Sequence, residues 1–539
     1  MFRSHQPASC PSSSTYLLSF DTVPHSFALC KSLSPAVSTT CALFAQNTRG
    51  GVSPFISLRP SLAHVCPHTR PLTPAAPPRI HLKWNFTNSS ARDNDLSTTP
   101  NELKNTTEGK PGVGRVWRAL RHRNFRLFFT GQSISLIGTW MTRIATAWLV
   151  YKLTSSALLL GVVGFAGQIP TFLIAPFAGV WVDRLNRQKV LVVTQVLAML
   201  QSLALAALTL SGRITIYEII WLSAFQGAIN AFDMPGRQAF MVQMVEDRQD
   251  LGNAIALNSS MVNLARLVGP SLAGGIIALF GTGYCFLIDG LSYLAVIASL
   301  LMMRLAPFMT ARVAVPMFQQ LKEGWEYVSK STPIRTILLL FGLISLMGWP
   351  FTVLMPVFAI NILHGGPHTY GFLMGAVGIG ALVSAYSLAL RGSVRGLTKM
   401  IPISSGLFGI GLILFGFSRY LWLSLLLLAI CGFGMMQQMA ASNTIIQTIV
   451  EEDKRGRVMS YYTAAFVGMA PFGSLLAGAL AHAIGATRTV MVSGVCCLAG
   501  AVWFFTRLKA VRQVIRPIYV NLGIVPPEVN AVLQDAGGN

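Results

Sequence analysis

VLVVTQVLAMLQSLALAALTL (Val190–Leu210) runs without a single charged residue, with RLNRQK just before it and SGR just after it. About 20 apolar residues rising 1.5 Å each cross a hydrocarbon core of ~30 Å. In lipid, a helix is the form that satisfies its own backbone polar groups. Working outward, eleven further stretches of this kind fill the chain. The spans are predicted at 127–151, 157–181, 190–211, 215–235, 255–280 and 283–304, then 335–360, 370–390, 399–418, 421–446, 459–484 and 487–506. A content of 53% hydrophobic and 11% charged residues fits an all-α polytopic membrane protein with twelve transmembrane helices. The net charge of +22 would suggest a nucleic-acid partner in a soluble chain. Its distribution points instead to membrane-flanking Lys and Arg plus a basic N-terminal segment, so no nucleic acid is expected and the partner surface is the lipid bilayer.

Charge falls into alternate gaps. One side carries Arg115, Arg118, Arg121, Arg123, Arg126, Arg184, Arg187, Lys189, Arg237, Arg248, Lys322, Lys330 and Arg335. It continues with Arg391, Arg395, Lys399, Lys454, Arg455, Arg457, Lys509, Arg512 and Arg516, whereas the other side has Lys152, Arg213, Arg419 and Arg488. Short loops biased in this way face the cytoplasm, which predicts both termini inside a cell membrane. Trp148, Tyr151, Tyr217, Trp221, Tyr420 and Trp422 fall at the outer ends, where amphipathic rings anchor.

The chain also echoes itself. MVEDRQDLGNAIAL (Met244–Leu257) is matched by IVEEDKRGRVMSYY (Ile449–Tyr462), and LAGGIIALFG (Leu272–Gly281) by LAGALAHAIG (Leu476–Gly485), at nearly equal offsets. Two parallel repeats with a site between them are a transporter architecture. The predicted organisation is an N-terminal six-helix bundle over 111–305, a charged linker over 306–334, a C-terminal six-helix bundle over 335–507 and a tail over 508–539.

GVWVDRLNRQK (Gly179–Lys189) makes the loop after the second span. Asp183 among Arg184, Arg187 and Lys189 is unneeded for anchoring and suggests an ionic latch. Asn186 at the tip suggests a left-handed turn, which Asn tolerates second only to Gly. In RLVGPSLAGG (Arg266–Gly275), Pro270 removes a backbone hydrogen bond and invites a bend, while Gly269 and Gly274 permit close helix approach. Ordinary packing explains the same residues.

At these positions the chain resembles the major facilitator superfamily of secondary transporters. Gly179, Asp183, Arg184, Arg187 and Lys189 match its loop signature G-x-x-x-D-R-x-G-R-x-K, with Asn186 where the pattern has Gly. Gly269-Pro270 with Ala273-Gly274 resembles the helix-5 signature linked to antiporters. NAFDMPGRQAF (Asn230–Phe240), FLIDGLSYL (Phe286–Leu294) and RGRVMS (Arg455–Ser460) are similar to the branch that holds the enterobactin exporter. The resemblance implies two pseudo-symmetric six-helix bundles, alternating access, and a charge-relay cluster of Asp183, Asp233 and Arg237.

Intramembrane charge is costly unless paired or watered, so it marks mechanism. Arg143, Asp233, Arg266 and Asp289 are the examples away from span ends, all in the first half. Asp289 reads either as a proton site or as the neutralising partner of an arginine, and counting along the first and sixth spans puts Arg143 at a similar depth. In the second half, CGFGMMQQMAASN (Cys431–Asn443) offers Met435, Met436, Gln437, Gln438, Met439 and Asn443 as a flexible, hydrogen-bonding cavity wall. Helix packing accounts for its methionines equally well. Trp349-Pro350 predicts a bend beside an aromatic ring.

Residues 1–110 are rich in Ser, Thr and Pro and poor in acid, as in an organelle transit peptide that would direct the chain to a plastid envelope. The competing reading is an N-terminal extension of a bacterial-type transporter. The cysteines show no metal spacing and no G-x-x-x-x-G-K-[ST] loop occurs, so no metal and no cofactor is expected. The reading is a non-enzymatic, monomeric, proton-coupled exporter of a small amphipathic molecule such as a siderophore or drug. An importer of the same fold and a non-transport membrane protein are the alternatives.

Overall fold

The computed structural model describes residues 117–245, 247–304, 317–391 and 393–526. Residues 1–110, and the side chains of Asp183 and Arg184, lie outside the described residues. Among the described residues, twelve long helices run in order: α1 Arg123–Thr154, α2 Ala157–Arg184, α3 Arg187–Leu210, α4 Ile216–Met244, α5 Leu251–Leu279 and α6 Thr282–Leu301. After the linker helix Met317–Lys330 come α7 Thr332–Ile362, α8 Pro367–Ala389, α9 Leu397–Phe417, α10 Leu421–Ile449, α11 Glu452–Ile484 and α12 Ala486–Asn521. No strand occurs among the described residues. Ten of the twelve are long and apolar enough to cross a membrane. The two that fall short, α1 and α4, are long enough and carry Arg143, and Asp233 with Arg237, in their interiors.

Packing repeats across the halves. In the first, α1 pairs with α5 and α6, α3 with α4 and α6, and α2 with α4; in the second, α7 pairs with α11 and α12, α9 with α10 and α12, and α8 with α10. Each pairing recurs six helices later, so the fold is two pseudo-symmetric six-helix bundles. Between them the main contacts are α5 with α8 and α2 with α11.

Those crossings depend on residues without side chains. A Cβ at Gly274 of α5 would stand 2.9 Å from the Pro367 carbonyl and 3.1 Å from Cα of Gly371 in α8. Gly161 of α2 and Gly478 of α11 oppose each other in the same way, at 2.9 and 2.8 Å. Lipid tails are as apolar as Leu, so association rests on backbone approach and van der Waals contact, which small residues allow. Both crossings lie far from the side that carries the ends of the helical region. Asn361 of α7 also donates to the Tyr151 hydroxyl of α1 at 2.6 Å, and Trp148 stacks on Tyr370 of α8 at 6.1 Å. The bundles are joined on that distal side.

Three local departures have physical causes. In α7 the α-helix gives way to a π-turn at Ile344–Gly348, a 3-10 segment at Trp349–Leu354 and a second π-turn at Phe358–Ile362. Pro350 and Pro356 supply no backbone N–H there, so the regular ladder cannot continue. By contrast α5 runs on through Pro270. At the C-terminal end, α12 passes the apolar boundary near 507 because Leu508, Val511, Ile515 and Tyr519 recur at helical spacing and are buried. The linker helix docks on the start of α11. Glu323 accepts from Arg457 at 2.7 Å, Trp325 meets Tyr461 ring to ring at 5.8 Å, and Lys454 lies 5.1 Å over Tyr327.

Adjacent glycines in α5 test the crossing. Nothing lies within 4 Å of a Cβ built on Gly275. Gly274→Val should weaken the contact by roughly 1–3 kcal/mol and lower the thermal midpoint of the purified protein. Gly275→Val should leave the midpoint within about 1 °C, since surface substitutions are usually within ~0.5 kcal/mol. Equal effects would show that the crossing is not packed as described.

Candidate functional site

Between the bundles, at mid-depth, lies a cavity of about 280 Å³. The first bundle supplies its polar wall. Trp140, Thr142, Arg143 and Thr146 come from α1, Gln168 from α2, Gln201 from α3, Ser223, Gln226 and Asn230 from α4, and Arg266 from α5. The second bundle gives mainly apolar and aromatic surface: Trp349 and Val353 of α7, Tyr370, Met374 and Val377 of α8, and Met435 of α10. Gln168 reaches across to Ser474 of α11 at 3.3 Å.

Arg143 and Arg266 are organised by one indole. Their guanidinium carbons lie 5.0 and 5.4 Å from the Trp140 ring centre, and that of Arg266 lies 5.9 Å from Trp349. Each such contact contributes about 0.5–2 kcal/mol, a fraction of what an unpaired cation costs inside a membrane. Gly269 permits the arrangement: its missing Cβ would stand 2.5 Å from the Trp140 Cβ.

Asp289 sits behind this wall, 2% exposed, between α1, α3 and α6. One carboxyl oxygen accepts from Thr142 at 2.8 Å and Ser202 at 3.0 Å, and the other has no hydrogen-bond partner. Gly138 makes room for it, since a Cβ there would approach Oδ1 to 2.7 Å. The expected Arg143–Asp289 ion pair is therefore absent among the described residues. Similar depth did not bring them together because successive helix positions point about 100° apart. Thr142 faces Asp289 while Arg143 turns into the cavity.

Nearer the end of α4, Asp233 pairs with Arg237 and also accepts from Gln195 at 2.7 Å and Thr194 at 3.2 Å, both of α3. Arg187, at the start of α3, donates to the Ala239 carbonyl of α4 at 3.3 Å. Asn186 does not make a left-handed turn: its φ is −67°, and its side chain caps α3 by accepting from the Lys189 N–H at 3.2 Å. An Asn that precedes a helix satisfies an orphan N–H more cheaply than it adopts αL. Lys189 itself is exposed.

Of the α10 cluster, Met435 lines the cavity. Gln437 is turned into the second bundle, accepting from Ser384 at 2.7 Å and facing Met400. Gln438 donates to Ser442, and the Met439 carbonyl accepts from Tyr462 at 2.9 Å. Asn443 accepts from Gln447 at 3.0 Å. Met436, Gln437, Gln438, Met439 and Asn443 are not among the cavity-lining residues. Sequence reading passed over Trp140, Gln168 and Gln201. For Ser223, Gln226 and Asn230 a signal existed, because they recur at three- and four-residue spacing on one face of α4.

Residues 115–538 match the family model described as transmembrane secretion effector. The chain is 28% identical over 389 residues to the staphyloferrin A transporter of Staphylococcus aureus, covering 71% of this chain and 96% of that protein. It is 26% identical over 365 residues to the multidrug efflux pump Tap of Mycolicibacterium fortuitum, covering 66% and 88%. In structure it is similar to a bacterial homologue of the human lysosomal transporter Spinster in an inward-facing, unoccupied conformation, with a TM-score of 0.58 at 12% identity, covering 74% of this chain and 98% of that one. A mixed cavity between two repeated bundles, with the match running through both, places this multi-pass membrane protein in the transmembrane secretion effector family of major facilitator transporters.

Proposed function

We propose that the protein exports a small amphipathic molecule in exchange for protons, acting as a monomer in a cell membrane with both termini in the cytoplasm. The observation that carries this reading is the cavity at mid-depth between bundles joined on the distal side. Together with the basic residues on the terminal side, it makes the described state the one that loads substrate from the cytoplasm. Rocking about the α2–α11 and α5–α8 crossings would then expose the cavity to the other side. Similarity to the multidrug efflux pump Tap of Mycolicibacterium fortuitum supports the outward direction.

Coupling is assigned to Asp289, a carboxyl held one residue from the cavity-facing Arg143 through Thr142. Gating is assigned to the Asp233–Arg237 pair and the α2–α3 loop, where Asp183, Arg184, Arg187 and Lys189 cluster in sequence.

In everted vesicles carrying the protein, an interior-acid pH gradient should drive accumulation of a transported amphipathic compound, and adding that compound should release protons from the lumen. A panel including a macrolide and a catecholate siderophore supplies the probes. Uptake that persists unchanged after the gradient is collapsed would sink proton coupling.

Asp289→Asn preserves size and still accepts from Thr142 and Ser202, so abundance and thermal midpoint should stay near the parent values. Gradient-driven uptake should fall at least tenfold while exchange of labelled for unlabelled compound continues. Retained gradient-driven uptake would remove Asp289 from the coupling role.

Asp233→Asn leaves the half-buried Arg237 without its counter-charge; breaking a fully buried pair costs about 3–5 kcal/mol, and the exposed part of the guanidinium lowers that here. The single variant should lose most of its abundance, and Asp233→Asn with Arg237→Gln should recover it. Should the double variant be abundant and transport at the parent rate, the pair is structural and has no part in gating.

A further inference from the structure

Among the described residues, Arg143 and Arg266 are the two charged residues on the cavity wall, and both are cationic. Among the described residues neither guanidinium takes part in a hydrogen bond or an ion pair, and Nε of Arg266 is buried without a partner. The carboxylates that could neutralise them are engaged elsewhere, Asp233 with Arg237, Thr194 and Gln195, and Asp289 with Thr142 and Ser202. Two like charges gathered around one indole repel each other, and cations at membrane depth are normally paired or, like the exposed Arg143, face a watered cavity. The fold therefore keeps a doubly cationic site whose counter-charge it does not supply.

We infer that the cavity binds a small amphipathic molecule bearing two carboxylates on a planar apolar body. The proposal rests on the reading of this cavity as the substrate site. A guanidinium presents a planar fork of donors that fits a carboxylate bidentately, so two arginines call for two such groups. Trp140 and Trp349 offer flat apolar faces next to those forks, and Val353, Met374, Val377 and Met435 receive the apolar part on the opposite wall. Gln226, whose Oε1 is buried without a partner, remains to accept from a hydroxyl or amide of the ligand. Cationic amphiphiles are disfavoured by the same charges.

Calorimetry on the full-length protein in nanodiscs, with naphthalene-2,6-dicarboxylate as probe, tests this directly. The diacid should bind and raise the thermal midpoint. Its dimethyl ester should bind at least tenfold more weakly, and 2,6-bis(aminomethyl)naphthalene should not bind. Arg143→Gln and Arg266→Gln should each weaken the diacid tenfold to a hundredfold, the double variant should lose it, and the Lys variants should fall between, because a point charge replaces a fork. Neither arginine has a polar partner to abandon, so the Gln variants should keep the parent midpoint without ligand. If one fails to fold, its Lys variant takes its place. Failure of the parent protein to bind the diacid, equal binding of the ester, or undiminished binding by the double variant would overturn the inference. Gradient-driven uptake of the ester or the diamine that the diacid does not inhibit would also overturn it, while leaving export standing. Diacid binding with no gradient-driven movement of any compound would uphold the inference and remove proton-coupled export.

Discussion

Gly274 against Gly371 and Gly161 against Gly478 bring backbone to backbone at the two places where the halves of this protein meet. Hydrophobic burial cannot drive helices together in a bilayer, so the bundles are held by how closely their main chains can approach. Those crossings set the spacing of everything between them. They place the polar face of α1 and α4 opposite the apolar faces of α8 and α10, and they seal one side of the cavity that results. Around these glycine contacts, Trp148 with Tyr370, Asn361 with Tyr151 and Phe165 and Phe172 with Phe472 complete the seam between two bodies that must move against each other.

Electrostatics is distributed unequally over this frame. All four interior charges noted in the sequence belong to the first bundle, and they are used in two ways. Asp233 and Asp289 are enclosed by donors from neighbouring helices, so their cost is offset by Arg237, Thr194, Gln195, Thr142 and Ser202. Arg143 and Arg266 rest on aromatic faces and point into open space. The second bundle contributes shape: the proline-broken α7 swings Trp349 to the cavity, where it meets Arg266. The linker helix is fastened to α11 through Glu323 and Arg457 and so travels with the second bundle.

Much of this architecture was legible in the chain because bilayer physics is nearly one-dimensional. A run such as Val190–Leu210 has to be a helix and has to cross, whatever it packs against. The echo of Leu272–Gly281 in Leu476–Gly485 exposed the repeat, since equivalent helices meet equivalent neighbours. Glycine positions in α5 announced a close approach, although not the partner helix. Sequence likewise marked Arg143, Arg266, Asp289 and Trp349 as special, because charge or an aromatic beside proline inside a span is rarely idle.

What a side chain touches was decided elsewhere. Depth along a helix can be counted from the sequence, but azimuth depends on how six helices rotate as they pack. That is why Arg143 and Asp289, similar in depth, face different ways, and why Gln437 and Gln438 of a promising cluster serve the interior of the second bundle. The helix-capping role of Asn186 also depended on where α3 begins. The sequence by itself determined twelve crossings, two repeated halves and the identity of the interior charges, because each follows from the cost of polar groups in hydrocarbon. Only the tertiary structure decided which charges are paired and which face the cavity, because that depends on rotation about helix axes, which backbone approach at a few glycines sets.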